Sequence, residues 1–386
     1  MATLKSLKPA KLIIGLLFLG VLASNVWTIS RWSETRGVYD DLCYLRQAHL
    51  FQRFGLAGLD TNMAKDDDGY FAGKLRAIDY AEWNDPARGP CHPWMEKPQK
   101  FVLQYPPGTG AALALFPEGF QVISLYVTAN VIVLAFALVA LMRASTPHSV
   151  TLAAIFGLAA LYLMINPTKA SYSIAPTMMV CAAAGLLTAR LFSSAASRER
   201  LWLAVAVGLL IGLSVNFRLP NLFLSAGYGI YFLVAFLVAR SRQAFGEGLA
   251  FGIAFLIGMA PTLAANAINA GSPFATTYGS VDVVPPELSA AVLRSYLVDV
   301  QFFLLVAAVA WTALNWIDVS RPGARQVARV VAMNLAVNIA FFMTHPIFTP
   351  YYIIPIVMLS LWTLLFATLP ARQERGADGR LHEHAA

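Results

Sequence analysis

Charged side chains are scarce in this sequence. They make up 13% of the residues, against about 25% in a typical soluble domain, while 58% are hydrophobic. The two or three soluble domains that 386 residues would otherwise suggest are therefore excluded. Ionisable groups are scarcer still inside the apolar runs, where no Asp, Glu, Lys or His lies deep. Proton-coupled transporters usually need such residues, and the internal repeat that transporter halves display is absent too. Metal-ligand spacing is also missing. The run Lys65-Asp-Asp-Asp-Gly69 lacks the alternating oxygen ligands of a calcium loop and reads as a solvated acidic turn. No cofactor is expected, and any activity is expected to be metal-independent.

Apolar runs of about 20 residues, each long enough to cross a bilayer, recur from end to end. They fall near 12–29, 121–142, 149–166, 172–191, 201–217, 220–239, 248–268, 299–317, 327–344 and 351–369. The expectation is an all-α polytopic integral membrane protein with ten spans. The first run follows Lys5, Lys8 and Lys11 as a signal peptide would, but it is long and lacks a small-x-small cleavage site, so a retained helix is expected.

With the N-terminus cytoplasmic, fifteen basic residues fall in cytoplasmic segments and three (Lys169, Arg218 and Arg294) in short outer loops. Ten more lie in the long first loop, where the positive-inside rule does not count them. This asymmetry predicts both termini in the cytoplasm, in a cell inner (plasma) membrane. The net charge of +7 is thus a topology signal and not a nucleic-acid footprint. Residues 371–386 are expected to form a disordered cytoplasmic tail.

Residues 31–103 form the only long polar region and hold eleven of the 21 acidic residues. A region of about 70 residues so poor in apolar side chains is too small for an independent domain. It is expected to be a periplasmic loop that carries short interfacial helices and folds onto a single membrane domain spanning 1–386. Its opening helix places Arg46, His49 and Arg53 on one face, with Tyr44, Leu45, Ala48 and Phe51 on the other. Such a face suits an anionic lipid headgroup and equally an ordinary solvated surface. Cys43 and Cys91 allow a disulfide in an oxidising compartment, worth roughly 4 kcal/mol in the chain-entropy model, or two free thiols. Zinc is disfavoured because His92 is the only nearby imidazole.

Polar residues gather at the outer ends of the later helices. Tyr105-Pro-Pro107 is a rigid entry into a short segment ending near Pro117. Arg218 lies between two helices, residues 266–278 lead into a second outer loop, and His345 precedes the last helix. Tyr351 and Tyr352 read as interfacial belt residues. Asp40 and Asp41, at the head of the opening helix, fit two roles. Either can cap the helix and complement its dipole, or serve as a general base at the membrane surface.

Asp40-Asp41-x-x-Tyr44-Leu45, directly after the first helix, resembles the Asp-Glu-x-x-Tyr signature of membrane glycosyltransferases of the C-type (GT-C) fold. That group includes the protein O-mannosyltransferases and lipid A aminoarabinose transferases. Tyr105-Pro106-Pro107 is similar to their Lys/Tyr-Pro-Pro element. Asn266 with Gly271-Ser272-Pro273 and Tyr278 is similar to an Asn-x-x-x-Phe-Gly-Ser-Pro loop of bacterial members. The resemblance runs from residue 12 to about 356.

It implies transfer of a sugar from a polyprenyl-phosphate donor to a lipid or glycan acceptor at the outer face, with Asp40 as base and Asp41 as its acidic neighbour. Arg218, with Tyr44, Tyr105 and His345, is expected to hold donor phosphate or substrate. Two departures point to rearranged phosphate binding. Tyr105 stands where the aminoarabinose transferases carry Lys, and Phe348-Thr-Pro-Tyr-Tyr352 has no Arg where many relatives have Arg-Tyr. The competing readings are a lipid or sugar transporter and a non-catalytic assembly partner of GT-C-like fold.

Overall fold

A backbone in hydrocarbon must satisfy its own hydrogen bonds, and all ten apolar segments do so as helices. The computed structural model describes residues 2–35, 39–165, 171–278, 285–318, 322–349 and 351–369. The tail 371–386, Lys169, Asp282 and Arg321 lie outside them. In chain order the helices are α1 (Ala2–Ile29), α2 (Tyr39–Phe54), α3 (Tyr70–Arg76), α4 (Gly108–Ala114), α5 (Gln121–Arg143), α6 (Pro147–Leu163) and α7 (Ile174–Ser193). They continue with α8 (Ser197–Val215), α9 (Ala226–Ala239), α10 (Arg242–Ala270), α11 (Ala290–Leu297), α12 (Val300–Ile317), α13 (Pro322–Thr344) and α14 (Ile354–Thr368).

Among the described residues, seven helical segments are long and apolar enough to cross a membrane: α1, α5, α7, α9 with the 3-10 turn before it, α10, α12 and α13. Helices α6 and α14 are apolar but shorter, and α8 opens on three charges, Arg198, Glu199 and Arg200. Large apolar side chains stand exposed on the outer helices, among them Leu12, Leu16, Leu233, Val238, Ile257 and Ile317. This apolar exterior and the all-helical core are compatible with a polytopic membrane protein.

Helix α14 is buried on every face from Ile354 to Phe366, the mark of a central helix. It packs on α7, which also touches α5, α8 and α13. Helices α1, α5 and α6 close one side, α8 to α10 another, and α12 with α13 a third. Inside the bundle, carboxamides do the joining that charges do not. Asn25 Nδ2 donates to Asn130 Oδ1 and to the Leu161 carbonyl, both at 2.8 Å. Asn334 Oδ1 accepts from the Gly227 N–H at 2.9 Å.

Helices α8 and α10 approach through glycines. A Cβ on Gly208 would strike the Phe251 carbonyl, one on Gly212 that of Phe255, and one on Gly258 that of Leu209. This is the small-residue packing that lets membrane helices meet at backbone distance. Gly212→Val is therefore expected to destabilise the fold by about 1–3 kcal/mol through overpacking, read as a lowered Tm in detergent.

Helix α10 starts earlier than its hydropathy suggests, which brings Glu247 inside it. There Glu247 is buried and meets Arg200 through two 2.8 Å hydrogen bonds. The first polar residues of α10 are retained in the helix because α8 supplies this partner.

The polar region differs most from expectation. Helix α2 is packed into the protein, with Asp41 to Ala48 and Leu50 all buried. Arg46 is fully buried and donates to the carbonyls of Thr61 (3.1 Å) and Asn62 (3.0 Å), with its Nη1 also 3.1 Å from His92 Nε2. His49 meets Asp68 at 2.7 Å, and Arg53 pairs with Asp67 and Asp68. The acidic turn is thus the partner of the basic face while Asp67 stays solvent-exposed. A two-residue hairpin, β1 (Trp94–Met95) with β2 (Lys100–Phe101), follows. Cys43 and Cys91 are joined as a disulfide, with Cα atoms 6.5 Å apart, pinning α2 to the loop before the hairpin.

His92 Nδ1 faces the Pro90 carbonyl at 2.7 Å and so must donate, leaving Nε2 to accept from Arg46. Burial, then the Arg46 charge, holds this imidazole well below its ordinary value of 6.5, and burial pulls the guanidinium down to about 10. Because folding keeps His92 neutral, the unfolded chain takes up the proton first as pH falls through 6.5. Stability is complete above that value and is expected to decline below it by up to about 1.4 kcal/mol per pH unit. Thermal unfolding between pH 7.5 and 5 reads the slope, and His92→Gln should flatten it.

Candidate functional site

Five of the six residues singled out for catalysis and binding line one cavity of about 570 Å³: Asp40, Tyr44, Tyr105, Arg218 and His345. They arrive from α2, the Tyr105-Pro-Pro element, the α8–α9 connection and the segment after α13. Asp41 does not line it. Its carboxylate is buried (1% exposed) and accepts the Tyr172 N–H at 3.1 Å, tying α2 to the start of α7.

The Tyr44 and Tyr105 rings stack at 4.8 Å, and Tyr278 meets Tyr105 edge-on at 6.1 Å. Burial raises the phenol pKa of both Tyr44 and Tyr105. Asp40 adds to the shift at Tyr105, and Tyr278 followed by Asp40 at Tyr44. Both therefore stay protonated donors beside Asp40.

Arg218 is 7% exposed and has no carboxylate within ion-pairing distance among the described residues. Its guanidinium lies instead over the rings of Tyr351, at 5.0 Å, and Tyr352, at 5.6 Å. These two tyrosines line the cavity. The α8–α9 connection thus brings a cation to the segment before the last helix. His345 sits between Phe341 and Tyr352, with ring centroids 5.8 and 5.7 Å away. Burial lowers its pKa, leaving a neutral imidazole and making Arg218 the permanent cation among the lining residues. A buried, unpaired guanidinium is costly unless an anion completes it.

The remaining wall is apolar, including Leu219, Leu222, Phe223, Phe341 and Ile347. Leu222 and Ile347 are 38% and 45% exposed, so this side reaches the outer surface of the bundle.

Residues absent from the sequence-level set hold Arg218 in place. Pro261 leaves α10 without one backbone donor. Asn216 bonds on either side of it. Its Nδ2 donates to the Gly258 carbonyl at 2.7 Å and its Oδ1 accepts the Thr262 N–H at 2.9 Å, bracing the turn that holds Pro261. Thr262 Oγ1 adds a 2.7 Å bond to the same oxygen. The Asn216 carbonyl in turn accepts the Gly108 N–H at 2.7 Å, just after Tyr105-Pro-Pro. One buried residue, through its side chain on α10 and its backbone carbonyl on Gly108, therefore couples the Arg218 wall to the Tyr105 wall. Gly108 and Gly110 permit this, since a Cβ on them would meet Asn216 at 2.7 Å and Gln47 at 2.5 Å.

Within residues 266–278, Asn266 makes only a peripheral bond to the Pro273 carbonyl. The structural tie is Asn269, whose Oδ1 accepts the Thr61 N–H at 3.0 Å and whose Nδ2 donates to the Leu59 carbonyl at 2.7 Å. Ser171, Ser173, Gln104 and Thr276 also line the cavity. Short polar residues at helix ends carry no spacing that would have singled them out. No group of three or more His, Cys, Asp or Glu is placed to hold a metal among the described residues.

Compared with protein-family models, with curated proteins and with solved structures, the chain matches none.

Proposed function

We propose that this chain is a membrane glycosyltransferase of GT-C-like fold that moves a sugar from a polyprenyl-phosphate donor to an envelope lipid, polysaccharide or protein acceptor. The observation that carries this reading is the presence, in one cavity, of the Asp40 carboxylate and a buried Arg218 with no ion-pair partner among the described residues, beside an apolar wall. The acceptor hydroxyl attacks the anomeric carbon and gives its proton to Asp40. The bond from that carbon to the phosphate oxygen breaks, its electron pair leaving with the lipid phosphate. Arg218 holds that anion through charge-assisted bonds, while Tyr44, Tyr105 and His345 offer donors to sugar and phosphate. The lipid lies along Leu222, Phe223 and Ile347. Ten spans, cytoplasmic termini and a catalytic cavity on the periplasmic side of a bacterial inner membrane complete the proposal, supported by the basic-residue asymmetry.

Purified protein in liposomes, given polyprenyl-phosphate sugar labelled in the sugar and an envelope extract, should yield labelled acceptor and unlabelled lipid phosphate. Label that crosses the bilayer while still on its lipid would replace this reading with that of a carrier.

A further inference from the structure

A second cavity, of about 670 Å³, lies at the opposite end of the bundle from the candidate site, between the ends of α5, α7, α12 and α14 and the starts of α6 and α13. It is a different chamber, since α7 runs the length of the bundle between Ser173 and Arg190.

Two of its charged side chains are engaged. Arg190 is engaged by Glu199 at 2.9 Å, and Asp318 has a partner of its own. Arg143 has neither an ion pair nor a hydrogen-bond partner among the described residues, and its guanidinium leans over the Phe366 ring with 6.0 Å to the centroid. Asn315, 7% exposed, donates to the Trp311 carbonyl, while its carboxamide oxygen accepts nothing among the described residues. An uncompensated cation and an open acceptor thus face a roof formed by Leu152, Trp311 and Phe366. At the edge, Leu314 is 63% exposed and continues onto the apolar outer face of α12.

We infer that this cavity binds an anionic phospholipid. The headgroup phosphate sits on Arg143, a headgroup hydroxyl donates to Asn315, and the first acyl carbons lie against Trp311 and Leu314. Basic pockets between membrane helices recognise headgroups in this way. The apolar roof selects a lipid over free phosphate, because inorganic phosphate leaves that surface wet.

The full-length protein in neutral detergent can be titrated by native mass spectrometry with phosphatidylglycerol, with phosphatidylcholine of the same chains, and with inorganic phosphate as competitor. Phosphatidylglycerol should bind about tenfold tighter than phosphatidylcholine, and millimolar phosphate should not displace it. Arg143→Gln should weaken phosphatidylglycerol about tenfold, as expected for loss of one charge-assisted bond. Arg143→Lys should restore most of that affinity, and Arg218→Gln should leave it unchanged. Equal affinity for the two lipids, displacement by phosphate, equal loss in the Gln and Lys variants, or loss only in Arg218→Gln would each overturn the assignment. None of these outcomes depends on sugar transfer.

Discussion

Asp40→Asn is expected to reduce sugar transfer by two to four orders of magnitude, on the order of what a positioned general base contributes. Asparagine keeps the size of the side chain and its place at the head of α2, but it cannot take the acceptor's proton. Asp40 also lines the cavity without sharing the buried contacts that anchor its neighbour, so the variant should express and unfold like the parent. Asp41→Asn makes the converse control. Its effect should appear in Tm, through the contact to the Tyr172 N–H, with transfer by the folded fraction largely kept. Rates per folded molecule from labelled donor, beside unfolding curves, separate the two aspartates.

Arg218→Gln is expected to lower kcat/KM for the lipid-phosphate donor about a hundredfold. Removing the cation from a buried phosphate forfeits about 2–3 kcal/mol, and each 1.4 kcal/mol is a factor of ten. Arg218→Lys should recover only part of the loss, because an ammonium cannot reproduce the two-pronged guanidinium contact or its stacking on Tyr351 and Tyr352. Asn216→Leu should imitate a milder Arg218 defect without touching the substrate, since it removes the brace at Pro261 and frees the Arg218 loop.

The helices were legible because hydrocarbon leaves a chain few options: runs of apolar residues long enough to span must form helices. Their ends were less so. Glu247 and Arg200 enter the buried structure only because they neutralise each other across two helices, a pairing that hydropathy along one helix cannot register. The cavity was also largely legible, since polar residues at one end of a bundle of spans have little choice but to meet.

Helix geometry alone does not say which member of a pair faces the cavity; only the resemblance singled out Asp40. Asp40 and Asp41 are adjacent, and a helix turns about 100° per residue, so only the packed structure decides that Asp40 lines the cavity while Asp41 bonds Tyr172. The stripe of Arg46, His49 and Arg53 suited a headgroup surface or a solvated one equally, because its partners are far along the chain. The carbonyls of Thr61 and Asn62, the imidazole of His92 and the acidic turn all return to it only after folding. Asn216 offered one readable clue, in that a proline inside an apolar run must leave backbone groups for a neighbour to satisfy.

The division of labour between Asp40 and Arg218 is tested most directly by equilibrium binding of a labelled polyprenyl-phosphate sugar to three purified proteins. Asp40→Asn, inactive in transfer, should bind the donor within about twofold of the parent, while Arg218→Gln should bind it at least tenfold more weakly. Normal donor binding by Arg218→Gln, or loss of binding in Asp40→Asn equal to its loss of transfer, would contradict the account.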